Sequence, residues 1–294
     1  MTHHRVTIIG VGNMGGGMAL NLLERGWQVA VHDIDPVKVD FYKQKGAVAF
    51  VLPAQAAINS VATIVCVVSA DQVQDALFGA NGAAQNMPRG HTVLLCPTIA
   101  PADVEATAAM LAQRGIHCID APMSGGPARA ADGSMSLMVA CEDAVFDAQQ
   151  ELLRALSSKV FRISARVGDG ARTKLVNNLA AGINLVGAAE VMAMAEAMGL
   201  DLGATLDVIE QSSGQSWIGS DRMRRALHHD YAPRAHVTLL EKDTALAVAA
   251  AKAAGFVGPL GERAAQVFAQ AHTAGLAAQD DAALFKLLRQ TVAK

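Results

Sequence analysis

Hydrophobic positions along the chain follow two regimes. Up to about residue 164, short apolar runs alternate with helix-length segments whose apolar residues recur every three or four positions. The runs at 5–9, 28–32, 63–68, 92–95, 116–119 and 136–140 predict strands, and 63–68 is apolar throughout, as expected of a parallel strand covered on both faces. Between them, helices are expected after residue 12, from Pro36, from Ser69-Ala-Asp71 to Phe78 and from Pro101 to Leu111, with stops at Gly26, Gly79 and Gly115. This alternation predicts an α/β fold with a doubly wound parallel sheet. From Ala171 to Met198 one long helix pattern follows, apolar on nearly every side and therefore expected to be buried. Asn184, Glu190 and Glu196 interrupt it too often for a membrane span. Beyond Gly199 only helices are expected, at 202–209, 237–254, 259–274 and 281–290, with Ser216-Trp217 in a loop between two of them. The expected division is a dinucleotide-binding domain of 1–164, and the long helix with an all-α domain over 165–294.

Composition narrows the classes of function. A chain of 294 residues that is 52% hydrophobic supports a large core or a buried oligomer interface, and disorder is not expected. A net charge of -3 with 17% charged residues provides no basic footprint for nucleic acid. Cys66, Cys96, Cys118 and Cys141 are far apart, each in or at the end of a strand-like run, and read as reduced core thiols with neither metal spacing nor a disulfide framework. The first strand starts almost at the N-terminus, so no signal peptide is expected and the protein is placed in the cytoplasm.

The chemistry begins at Gly10, Val11, Gly12, Asn13, Met14 and Gly15, which lie between the first strand and the first helix. That context makes the G-x-G-x-x-G a dinucleotide turn of the Rossmann type: Gly10 permits the turn, Gly12 lets backbone reach the pyrophosphate and Gly15 lets helix pack on strand. Asp33 follows the second strand where a ribose-binding acid is expected, which favours NAD over NADP because the carboxylate repels a 2'-phosphate. Asp35 is the better cap for the helix begun by Pro36. Thr98 stands at the C-terminal end of a strand, where such sheets place ligands. Ser124, Gly125 and Gly126 read either as a carboxylate-holding loop rich in N–H groups or as a plain glycine turn. Gly170, Lys174 and Asn178 recur every four residues and share a helix face. Lys174 is either a snorkelling surface lysine or an acid/base whose ammonium is disfavoured by burial and the positive helix end.

Taken together, the glycine turn, the loop from Asp120 to Gly126, the Gly170-Lys174-Asn178 helix and Lys242-Asp243 occur in an order and spacing that resembles the β-hydroxyacid dehydrogenases, the group of 3-hydroxyisobutyrate dehydrogenases and tartronate semialdehyde reductases. The resemblance covers essentially the whole chain. Leu77-Phe-Gly79, Ser216-Trp217, Arg222-Met223 and Asp230-Tyr231-x-Pro233 are similar to the L-threonate dehydrogenase branch. The resemblance implies Lys174 as the catalytic lysine with Asn178 beside it, Ser124, Gly125 and Gly126 as the substrate-carboxylate loop, and Thr98 and Lys242 as cofactor contacts. Pro97 stands where the family usually has serine. Trp217 is either a residue that closes over substrate or a core tryptophan. A homodimer or homotetramer is implied, with no nucleic acid, membrane or metal. The expected reaction is reversible hydride transfer between NAD and a small hydroxy acid, L-threonate in the first instance, with tartronate semialdehyde and 3-hydroxyisobutyrate as alternatives. An imine reductase is disfavoured by Lys174, and a non-catalytic NAD sensor by Lys174 together with the Ser124 loop.

Overall fold

The computed structural model describes residues 5–290. The chain forms two compact units, Met1–Lys174 and Leu175–Lys294, which meet within the long helix.

In the first unit the strands are β1 (Arg5–Ile9), β2 (Gln28–His32), β3 (Val48–Ala49), β4 (Ala62–Val65), β5 (Thr92–Leu95), β6 (His117–Asp120), β7 (Met123–Ser124), β8 (Ser136–Ala140) and β9 (Lys159–Ser164). They form one sheet in the order β3-β2-β1-β4-β5-β6-β8-β7, with β9 on the free side of β8. The pairings from β3 through β6 are all parallel, and β8 runs antiparallel to β6 and β7. From β1 the chain winds outward to β2 and β3, then crosses to β4 on the other side. The carboxyl ends of β1 and β4 therefore flank a topological switch point, where open α/β sheets bind ligands.

Around the sheet lie α1 (Asn13–Glu24), α2 (Pro36–Gln44), α3 (Pro53–Ala56), α4 (Ala70–Phe78), α5 (Pro101–Ala112), α6 (Gly126–Asp132), α7 (Asp143–Ala148) and α8 (Gln150–Leu156). The apolar strands are explained by two separate cores. Ile8, Ile64 and Leu94 pack into one with Met18 and Leu22, while their chain neighbours Ile9, Val65 and Leu95 pack into the other with Val73, Leu77 and Leu111. Successive side chains leave a strand on opposite faces, so burial on both faces requires every position to be apolar. Each such side chain stabilises the unit by roughly 1.5–3 kcal/mol. Asp35 caps α2 as expected, accepting from Val37 N at 3.0 Å, with Pro36 next to it. Ser69 caps α4 by accepting from Gln72 N.

Departures from expectation are local. The strand expected at 63–68 spans Ala62–Val65, so Cys66 to Val68 lie beyond it. What read as a loop after Ser124 closes into α6, and the short β7 and the longer β9 carry no clear alternation.

The long helix α9 (Asp169–Ala197) runs through the unit boundary. The second unit adds α10 (Leu202–Glu210), α11 (Trp217–Leu227), α12 (Val237–Ala253), α13 (Pro259–Ala271) and α14 (Leu284–Arg289). Leu185, Ala189 and Met192 of α9 form its core with Leu206, Met223, Leu240, Phe268 and Phe285. Gly182 admits α12, for a Cβ there would lie 2.5 Å from Thr244 Cγ2. Among the described residues α9 is the one helix long and apolar enough in composition to cross a membrane, and 44% of its most apolar window is buried within the protein.

Four expectations in the helical part are corrected. Trp217 is the first residue of α11 rather than part of a loop, because Ser216 caps that helix by accepting from Gly219 N at 3.1 Å. Nor is it a core residue, being 57% exposed. The helix expected at 259–274 stops at Ala271 and continues as a wider turn over His272–Leu276, in which Gly275 takes φ 80°. The segment 281–290 starts as a 3-10 turn before α14. Finally, α9 is not buried all round: Val176 and Met194 stay more than half exposed, as does Met198 just beyond its end, since this chain's own helices cover only part of its circumference.

Candidate active site

The carboxyl ends of the parallel strands carry most of the residues singled out from the sequence. Gly10 follows β1 with φ 90°, a backbone conformation that favours glycine. Val11 N donates to Asp33 Oδ2 at 2.8 Å, which fastens the glycine turn to the end of β2. The other oxygen of Asp33 accepts from Asp35 N at 2.9 Å, so the carboxylate is oriented from both sides. Gly12 N-caps α1 with no side-chain cap, and no acidic residue stands in the first turn of that helix, whose positive end therefore faces outward without an anion of its own. Nothing lies within 4 Å of where a Cβ on Gly12 would be, whereas one on Gly15 would stand 2.0 Å from Gly10 O. Open backbone at Gly12, close packing at Gly15 and an uncapped helix N-terminus fit a dinucleotide pyrophosphate. Asn13 is exposed and Met14 half-buried on the same turn.

Two glycines absent from the motif also matter here. A Cβ on Gly16 would collide with the Tyr42 hydroxyl, and one on Gly17 would come within 3.0 Å of Pro127 O and 2.8 Å of the Ala130 side chain. Gly17 thus lets α6 lie directly on α1, and α6 begins at Gly126. The dinucleotide helix and the Ser124 loop are neighbours for that reason. The run Gly15-Gly16-Gly17 was the available signal.

Ser124 pairs with Ser136 across β7 and β8 and is half-buried. Gly125 and Gly126 take φ 135° and 77°, and the Gly126 backbone is open. Thr98 follows β5 and is half-buried, beside the buried Pro97. Asp120, at the end of β6, went unremarked in the sequence beyond its place in the loop. Its Oδ2 accepts from Gly168 N and Ala171 N, each at 2.9 Å, so it holds the start of α9. Burial pushes its carboxyl up to about 6 against the opposing effect of these N–H groups. Lys174 stands one turn further along α9 and is 7% exposed, which removes the snorkelling surface lysine from consideration. Cys66 and Cys96, after β4 and β5, have thiols pushed up by burial, Cys66 to about 12, and both stay neutral. All 4 cysteines are free, as expected. Among the described residues no cluster of His, Cys, Asp or Glu is arranged to hold a metal.

In the second unit a buried carboxylate gathers two more of the expected residues. Asp243 Oδ2 accepts from Asn178 Nδ2 at 2.6 Å, and Asp243 Oδ1 lies 2.9 Å from Lys242 Nζ. Asn178 Oδ1 accepts from Asn177 Nδ2 at 3.0 Å, which fixes the orientation of the Asn178 amide. The simple pairing of Lys242 with Asp243 is therefore present, but Asp243 also serves Asn178. Its aspartate followed the singled-out Lys242 in sequence, yet the role rests on a contact 65 residues away. Trp217 lies at the start of α11, with the Arg222 guanidinium 6.0 Å from its ring centre.

Comparison with known proteins places the chain in a family. Residues 5–164 match the family model described as the NAD binding domain of 6-phosphogluconate dehydrogenase. Residues 168–288 match the model described as NAD-binding of NADP-dependent 3-hydroxyisobutyrate dehydrogenase. The L-threonate dehydrogenase of Cupriavidus necator is 36% identical over 282 residues, 96% of this chain and 95% of that protein. That of Escherichia coli K12 is 36% identical over 283 residues, 96% of this chain and 94% of the other. The crystal structure of 3-hydroxyisobutyrate dehydrogenase from Salmonella typhimurium superposes with a TM-score of 0.90 at 35% identity, covering 97% of this chain and 99% of that one.

Proposed function

Because the chain belongs to the 3-hydroxyisobutyrate dehydrogenase family, and so is an NAD(P)-dependent β-hydroxyacid dehydrogenase acting on a CH–OH group, we propose that its substrate is L-threonate, oxidised to a 2-oxo-tetronate with NAD preferred. The observation that carries the chemistry is the buried amine of Lys174 on the first turns of α9, the helix that Asp120 anchors four residues before the Ser124 loop. Bound NAD(P) supplies the hydride acceptor. The Ser124, Gly125 and Gly126 loop receives the substrate carboxylate through its hydroxyl and backbone N–H groups. Lys174 takes the hydroxyl proton during oxidation and returns it in reduction, and in its protonated form it stabilises the alkoxide-like oxygen. Asn178, held by Asp243, presents an oriented amide one turn beyond it.

L-threonate is favoured by the two relatives of that name at 36% identity over nearly their full length. The Salmonella structure, at 35%, supports 3-hydroxyisobutyrate as the second reading. NAD is favoured by Asp33, whose carboxylate would repel a 2'-phosphate. A homo-oligomer is supported by the exposed apolar face of α9 and by an apolar groove of about 280 Å³ lined by Leu179, Val248, Phe256, Val257 and Leu260. Light scattering on the purified protein reads the assembly directly.

The deciding assay is reduction of NAD and of NADP with L-threonate, D-glycerate and 3-hydroxyisobutyrate in parallel. Highest kcat/KM on L-threonate with NAD supports the assignment, and preference for another acid discards L-threonate while keeping the reaction. Asp33→Asn should narrow the preference for NAD over NADP by about tenfold; an unchanged ratio removes Asp33 from the explanation.

A further inference from the structure

Asp120 is a buried acid that the proposed proton transfer does not use. It is 1% exposed, and burial is the largest influence on its ionisation. Three backbone N–H groups, from Gly168, Gly170 and Ala171, converge on it, and these are the groups that a helix N-terminus leaves unpaired. Gly170 is required for this approach, since a Cβ there would lie 2.9 Å from Asp120 Oδ2 and 2.7 Å from Met138 O. The first turn of α9 thus sits directly on the end of β6 and the middle of β8. From Asp120 the chain reaches Ser124 in four residues, and from Gly170 the helix reaches Lys174 in four.

We propose that Asp120 is a positioning residue: its carboxylate clamps the first turn of α9 to the end of β6 and thereby fixes the Lys174 amine relative to the Ser124 loop. The proposal rests on the assignment of Lys174 as acid/base. Surface charge does not substitute for the clamp. Asp169 on the same turn is occupied outside, by Ser164 Oγ at 2.8 Å and by Arg166 and Arg172, the latter also paired with Glu105. The other titratable groups coupled to Asp120 are the thiols of Cys96, Cys118 and Cys141, all raised by burial and neutral at ordinary pH. Of the acids at this helix end, Asp120, Asp169 and Glu105, only Asp120 is buried and accepts from the first N–H groups of α9. Its charge opposes the positive end of α9, so ionisation of Asp120 should be felt at Lys174.

Two variants separate geometry from charge. Asp120→Asn keeps an acceptor oxygen and removes the charge, while Gly170→Ala keeps the charge and displaces the turn. Biosynthetic labelling with [ε-13C]lysine, with the Lys174 resonance assigned by its absence in Lys174→Arg, reads the amine without any substrate. In the parent protein that resonance should show an inflection near pH 6, which Asp120→Asn abolishes and Gly170→Ala retains. With whichever acid the parent turns over best, kcat should fall by about tenfold or more in both variants while KM and NADH affinity change little. An inflection that survives Asp120→Asn, or kcat within about twofold of the parent in both variants, overturns the proposal. Thermal unfolding checks that each variant is folded, and Gly170→Ala carries the kinetic test if Asp120→Asn is not. A parent silent on every acid tested speaks against the substrate assignment alone, because the lysine resonance still decides the clamp.

Discussion

Asp120 in the first unit and Asp280 in the second are both buried, and each receives three backbone N–H groups. They end on opposite sides of the ordinary carboxylate range of about 3.8. At Asp120 burial prevails and the carboxyl rises to about 6. At Asp280 burial pushes the same way, but the Arg225 guanidinium 3.0 Å away joins the N–H groups of Ala282, Arg234 and Ala235 and brings it down to about 2. At Asp280 the guanidinium and the N–H groups together outweigh burial, whereas at the neighbouring Asp281, paired with Arg222, burial still prevails and raises the carboxyl to about 7. Asp280 ties the segment before α12 to the turn before α14, through Arg234 N, Ala235 N and its bridge to His236, and its full compensation suits a structural joint. Asp120 stands at the strand ends where chemistry is expected and keeps a titratable charge there, the pattern that perturbed groups show at functional sites.

The sharpest way to test that contrast is to damage each region and ask what is lost. Lys174→Ala should reduce turnover on the order of a thousandfold, with NADH binding and thermal stability close to the parent values. Near-normal turnover would remove Lys174 from the reaction. Arg225→Ala should do the reverse, costing about 3–5 kcal/mol of stability in urea unfolding by taking from buried Asp280 its nearest cation, while the folded fraction keeps its kcat. If kcat falls in proportion instead, the second unit's joint is part of the site and the contrast fails.

Stability against pH should separate the two aspartates by sign. In the native state Asp120 keeps its proton up to about pH 6, whereas the unfolded chain releases it near 3.8, so stability falls as pH rises through that window, by about 3 kcal/mol. Asp280 contributes stability above 3.8 that is lost as pH falls through about 2, in total about 2 kcal/mol. The first unit also holds His91, buried against Thr63 and pushed down to about 4 from 6.5, which favours folding as pH rises from 4 to 6.5 and by itself offsets Asp120. In the second unit Asp281, which burial raises to about 7, adds a further fall with rising pH, so urea titrations between pH 4 and 6 should fall with pH in the parent, be nearly flat in Asp120→Asn and fall more steeply in His91→Gln.

The smallest effect expected distinguishes two glycines of one turn. Gly15→Ala forces a Cβ against Gly10 O and should cost about 1–3 kcal/mol of stability, whereas Gly12→Ala meets no atom and should leave stability unchanged while weakening NADH binding. Equal stability losses at both positions would mean that the turn is not divided into a packing glycine and a ligand glycine.

The sequence by itself determined the sheet, the dinucleotide turn, the long helix and the pairing of Lys174 with Asn178 on one face. Those features depend on what each residue permits its own backbone to do and on the spacing of neighbours a few positions away, as at Gly10 with φ 90° or in strands whose alternate residues enter different cores. The start of α6 and the cap of Trp217 were harder, because Gly126-Pro127 and Ser216 suit a loop as well as a helix start. Only the tertiary structure decided that Asp120 meets Gly168 and Ala171 across 48 and 51 residues, that Asp243 serves Asn178 across 65, and that Gly16 makes room for Tyr42. It also decided which aspartate holds its proton, since desolvation and the distance to a guanidinium arise when remote segments pack together, and no local pattern in the chain encodes either.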